Sequence, residues 1–115
     1  MKDNLTIAVI GSGSAGPASA ALLAKQGHEV ILFEKAPKKL PVGAGFLLQP
    51  SGMEVLAELG CLEQVLTNTD KIDALFCKTT NGRVLLDLKY RDLAPELFGA
   101  GTQRAVFFRY PFRLV

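Results

Sequence analysis

Gly11, Gly13 and Gly16 stand at GxGxxG spacing, directly after the apolar run Leu5 to Ile10 and directly before the helical run Ala18 to Lys25. Residues of this type at this spacing suit the reception of a pyrophosphate. Gly11 lets the chain turn sharply out of a strand, and Gly13 lets the backbone approach a phosphate with no Cβ in the way. Gly16 lets the next helix pack tightly on that strand. The phosphates would sit at the helix N-terminus, where unpaired N–H groups and the positive end of the helix dipole receive anionic charge. Pro17 fits the first helical turn, where its missing N–H has no intrahelical partner to lose.

Glycine turns also occur for packing alone, so the surrounding elements decide. The helix ends near Gln26 and Gly27, a second apolar strand runs from Glu29 to Phe33, and Glu34 closes it. Glu34 lies 18 residues after Gly16 and 23 after Gly11, close to the roughly 20-residue offset of an acid that holds an adenosine ribose. Strand, turn, helix, strand and acid form one βαβ unit of dinucleotide-binding type. A carboxylate at Glu34 accepts from ribose hydroxyls and repels a 2′-phosphate, which favours NAD or FAD over NADP. Lys35, Lys38 and Lys39 form a basic cluster just beyond it that would tolerate a phosphate, but such a charge run reads first as a solvated loop.

At 115 residues the chain is long enough for one domain and too short for a dinucleotide domain plus a substrate domain. It is 49% hydrophobic and 21% charged, with a net charge of +2. Its basic residues are not interleaved with exposed aromatics in any obvious stripe, which leaves nucleic-acid binding unsupported. The N-terminus has no secretory pattern, and no stretch approaches the roughly 20 apolar residues needed to cross a bilayer. Cys61 and Cys77 lack CxxC spacing and a nearby histidine, so both are expected to be reduced, mostly buried thiols of a cytoplasmic protein, with no metal site. His28, the only histidine, falls at the turn between helix and second strand and reads as an exposed turn residue.

Further along, Ala36 to Leu48 carries Pro37, Pro41, Gly43 and Gly45 and reads as loop, with a short extended piece at Phe46 to Leu48. Ser51 with Glu54 offers a capping box for a helix bearing Met53, Val55, Leu56 and Leu59 and ending at Gly60. A shorter helical turn is expected at Leu62 to Leu66, and a connection at Thr67 to Asp70. Ile72 to Thr79 and Arg83 to Leu88 read as strands joined through Asn81-Gly82 in a tight hairpin. Tyr90 to Gly101 looks irregular, and Thr102 is expected to cap a last helix carrying Arg104, Phe107, Phe108 and Leu114, despite Pro111 inside it.

In this order the features resemble the N-terminal portion of the FAD-dependent aromatic hydroxylases and monooxygenases, the group that includes para-hydroxybenzoate hydroxylase. The resemblance rests on Ile7 to Pro17, Val30 to Lys35, Gly43-Ala44-Gly45-Phe46 with Pro50 and the helix to Gly60, the Asn81-Gly82 hairpin and Gly101-Thr102-Gln103-Arg104. It implies an α/β fold, a Rossmann-like βαβ FAD-binding unit with an added antiparallel hairpin, incomplete relative to the family. Gly11, Gly13, Ser14, Ala15 and Gly16 would line the FAD pyrophosphate and Glu34 would hold the ribose, with Lys35 beside it. Arg104 would contact FAD, and Gly45 would lie toward the flavin. Similar enzymes use NAD(P)H and oxygen to hydroxylate a small aromatic or other electron-rich substrate. The family's later Asp-Gly and Gly-Asp signatures and its substrate-binding sheet have no counterpart. Residues 1–115 are therefore expected to be an N-terminal fragment of the FAD-binding domain, without its substrate domain, inactive alone and prone to self-association. The rivals are an NAD-dependent or other FAD oxidoreductase fragment and a non-catalytic adenine-dinucleotide-binding module.

Overall fold

The computed structural model describes residues 3–36 and 44–107. Strand β1, Thr6–Ile10, leads through the glycine turn into helix α1, Ala15–Lys25, and the chain returns as β2, Glu29–Phe33. The two strands pair in parallel, Ile7 against Val30 and Val9 against Leu32. Alternation follows from the strand period of two: Ile7, Val9, Val30 and Leu32 are half-buried, while Thr6, Ala8, Ile10, Ile31 and Phe33 are exposed. Helix α1 begins three residues earlier than the apolar pattern suggested, because the turn itself takes helical geometry from Ala15. Its C-terminus closes as a Schellman motif: the Gly27 N–H reaches the Ala24 carbonyl at 3.0 Å and the His28 N–H reaches Leu23 at 3.2 Å.

A second unit is built around β3, Gly45–Leu48, helix α2, Pro50–Glu58, and helix α3, Leu62–Leu66. Ser51 does not cap α2. Pro50 occupies the first helical position and Gln49 precedes it in extended geometry, with no side-chain cap. Proline's fixed φ starts this helix, one residue ahead of the candidate capping box. Gly60, at φ +75°, ends it in a second Schellman motif, with the Cys61 N–H on the Leu56 carbonyl at 3.0 Å.

The run from Ile72 to Thr79 is two strands in two sheets. Strand β4, Asp70–Ile72, includes a residue expected in the connection, and β5, Ala74–Lys78, follows after Asp73. Strand β5 pairs antiparallel with β6, Val84–Lys89, as expected, though the hairpin turn is not a two-residue one. The Gly82 N–H donates to the Thr79 carbonyl at 3.0 Å, and Gly82 alone takes positive φ, +91°. That combination is a type I turn with a glycine bulge, which Asn-Gly also serves. After a 3-10 turn at Tyr90–Asp92 comes β7, Gly99–Gln103, in place of the irregular segment and Thr102 cap that were expected. Strand β7 is central, pairing antiparallel with both β3 and β4. Helix α4, Arg104–Phe107, follows it; Phe108, Pro111 and Leu114 lie outside the described residues.

The core sits in this second unit. Leu48, Met53, Leu56, Cys61, Val65, Ala100 and Phe107 are buried together, and Phe46 meets Phe107 edge to face at 4.8 Å. Tyr90 is buried too and donates from its hydroxyl to Gln49 Oε1 at 2.8 Å. Burial raises the Cys61 thiol above its ordinary pKa. Cys77 departs from expectation, being exposed on β5, whose only paired strand is β6. No helix among the described residues is long and apolar enough to cross a membrane.

Candidate FAD site

The glycine turn is shaped by two positions. Gly11 takes φ +100°, a conformation that L side chains rarely adopt, and its N–H donates to the Phe33 carbonyl at 2.7 Å. At Gly16 a Cβ would stand 1.8 Å from the Gly11 carbonyl oxygen and 3.7 Å from Leu32 Cδ1. Helix α1 therefore approaches the end of β1 more closely than any side chain permits. By contrast a Cβ on Gly13 would meet nothing within 4 Å, so the turn leaves open space on that side. Ser14 is the N-cap of α1 and Ala15 its first residue, and the first turn carries no acidic side chain. That donor set and open face fit an anionic group at the positive end of the helix.

Glu34 reaches back over this turn. Its Oε2 accepts from the Ser12 N–H at 2.7 Å and its Oε1 from the Ala36 N–H at 3.1 Å. Ala36, then Ser12, hold the carboxyl below the ordinary glutamate range by hydrogen-bonding its charged form. Lys35 is exposed and adds a smaller favourable charge. Lys38, Lys39 and Gly43 lie outside the described residues.

The predicted residues thus fall into two groups. Gly11, Gly13, Ser14, Ala15, Gly16, Glu34 and Lys35 gather where β1 and β2 end. Gly45 and Arg104 gather at one end of the β3–β7 pair, where Gly45 stands opposite Gln103 and the Arg104 N–H donates to the Ala44 carbonyl at 3.4 Å. Gly45 has a structural reason to lack a side chain: a Cβ there would lie 2.9 Å from the Thr102 carbonyl oxygen. Arg104 is half-buried and opens α4.

Two partners were not foreseen. The Ser12 amide is the closest contact of the Glu34 carboxylate, and the only signal for it in sequence is that Ser12 sits between two glycines, which leave its N–H bare. His28 is half-buried, not an exposed turn residue, and its Nδ1 accepts from the Leu5 N–H at 3.2 Å, tying the start of β1 to the start of β2.

A family model described as "FAD binding domain" matches residues 4–105. The chain belongs to this FAD-binding domain family. It is 35% identical over 98 residues to a 3-amino-4-hydroxybenzoate 2-monooxygenase of Streptomyces cremeus, covering 84% of this chain and 25% of that protein. It is 33% identical over 101 residues to a 6-hydroxynicotinate 3-monooxygenase of Bordetella bronchiseptica, covering 87% and 26%. Among solved structures it is similar to the tetrameric form of 2-methyl-3-hydroxypyridine-5-carboxylic acid oxygenase, with a TM-score of 0.73 and 26% identity over 95% of this chain and 28% of that one. The chain thus spans about a quarter of the length of these relatives. Family membership makes FAD the cofactor.

Proposed function

We propose that this chain is the N-terminal, FAD-binding part of a flavin-dependent monooxygenase that uses NAD(P)H and O2 to hydroxylate a small aromatic substrate. The single observation that carries this is the match of residues 4–105 to the FAD-binding domain. Relatives whose names specify monooxygenation of hydroxybenzoate and hydroxynicotinate rings support the substrate class. Bound FAD supplies the redox chemistry, and the protein binds, orients and shields it.

In this reading β1, α1 and β2 form a Rossmann-like unit. Gly11, Gly13, Ser14, Ala15 and Gly16 receive the pyrophosphate, and Glu34, flanked by Lys35, accepts from the adenosine ribose. Arg104 and Gly45 serve the flavin side. The chain alone holds the cofactor weakly and turns over nothing. Its exposed apolar strands make it self-associate, in keeping with a relative described as tetrameric.

Titration of the purified chain with FAD, followed by competition with ADP and with NAD, tests the proposal. FAD uptake that ADP displaces, with no NADH oxidation, is expected. NAD bound more tightly than FAD would overturn it in favour of a nicotinamide oxidoreductase.

A further inference from the structure

The Glu34 carboxylate is held by backbone on both of its oxygens. The Ser12 N–H donates to Oε2 at 2.7 Å, and the Ala36 N–H to Oε1 at 3.1 Å. Ser12 lies between Gly11 and Gly13, so neither neighbour has a side chain to fix its peptide plane. A short bond to a charged acceptor does so instead. The preceding amide, that of Gly11, donates to the Phe33 carbonyl at 2.7 Å. Two successive amides of the turn are therefore pinned to two successive residues at the end of β2.

We propose that Glu34 is a positioning residue for the pyrophosphate, acting through the Ser12 peptide, in addition to the ribose contact on which the dinucleotide reading rests. A carboxylate oxygen has two lone-pair directions. Backbone N–H groups of Ala36, Ser12 and Lys35 bond the two oxygens, which leaves one of their four directions for a ribose hydroxyl, so the same side chain links the sugar to the turn. Donors ordered by the fold bind an anion more tightly, because less freedom is lost on binding.

Charge gives this proposal a sign that a ribose-only role lacks. Removing a carboxylate beside a pyrophosphate should, by Coulomb repulsion alone, tighten binding of the anion. A positioning role predicts the opposite.

The test uses the 115-residue chain and Glu34→Gln, titrated by NMR with ADP and with 2′,3′-dideoxy-ADP, which keeps the pyrophosphate and lacks both hydroxyls. Glu34→Gln should bind dideoxy-ADP about fivefold or more weakly, and its Ser12 amide should exchange with solvent roughly tenfold faster. Unchanged or tighter dideoxy-ADP binding, with only ADP weakened, would show an acid serving the sugar alone; the proposal would fall and the dinucleotide reading would stand. If the unsubstituted chain binds neither nucleotide, both fall. Should Glu34→Gln not fold, Glu34→Asp keeps the charge while withdrawing it by one methylene. Weaker dideoxy-ADP binding by that variant supports the proposal, and unchanged binding overturns it.

Discussion

The Cβ that Gly16 lacks would lie 1.8 Å from the carbonyl oxygen of Gly11. The obstructing atom is backbone, at a residue already held at φ +100°, so no rotamer change relieves the contact. Gly16→Ala should therefore cost at least the about 1–3 kcal/mol typical of overpacking and abolish ADP binding. Gly13→Ala, whose Cβ meets nothing within 4 Å, should fold normally and lose only nucleotide affinity. Urea unfolding and ADP titration of both variants check the ranking, and equal stabilities would contradict the geometry.

Acid should loosen the glycine turn. The folded-state pKa of Glu34 is depressed by the Ala36 and Ser12 amides from an ordinary value near 4.5, so its contribution is fully present above that value and is lost as pH falls through the lower folded one. Amide exchange at Ser12 and Ala36, corrected for intrinsic rates, should stay protected at pH 7 and lose protection below about pH 4.5. In Glu34→Gln the same profile should be flat.

Leu56 is buried among Leu48, Met53, Cys61 and Val65 in the only core cluster among the described residues. Leu56→Ala should lose about 2–5 kcal/mol, a large share of the stability available to a small domain. Loss of the urea transition, or a midpoint shifted by that amount, is the expected outcome; a midpoint within 0.5 kcal/mol-equivalent scatter, roughly that of a surface change, would contradict the packing.

Phe76 and Leu85 on the hairpin are 61% and 60% exposed, and Ile10 on β1 is 79% exposed. Apolar strands of two-stranded sheets, with every strand an edge, should pair with other copies. Sedimentation should show concentration-dependent association of the chain, reduced by Phe76→Ser and Leu85→Ser together without loss of thermal stability. A purely monomeric profile across the micromolar range would count against it.

The two thiols should be distinguishable by rate. Cys77 is exposed and Cys61 is buried with its pKa raised by desolvation. Ellman's reagent should modify one thiol rapidly in the folded chain, and the second only with unfolding; Cys77→Ser should remove the fast phase.

Local signals were legible where one residue type dictates one geometry. The glycine turn, the Gly60 stop and the antiparallel hairpin all follow from such signals. Where competition between neighbours decides, sequence misled. Pro50 pre-empts Ser51 as the helix start because a fixed φ outweighs a side-chain cap. Gly99-Ala100-Gly101-Thr102 looks like loop by composition, yet it forms the central strand β7, because Leu47, Tyr90 and Ile72 fill the space that its own side chains leave. That pairing is long-range and invisible to periodicity. The Glu34 offset located the acid, while its bond to Ser12 depends on a turn conformation that spacing alone does not specify.

Lys25, in the last turn of α1, donates its amine to the Glu58 carbonyl at the end of α2, at 2.8 Å. No strand of the β1–β2 sheet pairs with one of the β3–β7–β4 sheet, so this exposed lysine bond links helices that belong to two separately paired sheets. A molecule reaching from the glycine turn to the Arg104 end would span both sheets. Any freedom between the two that such a molecule removes would count against its affinity as unfavourable entropy.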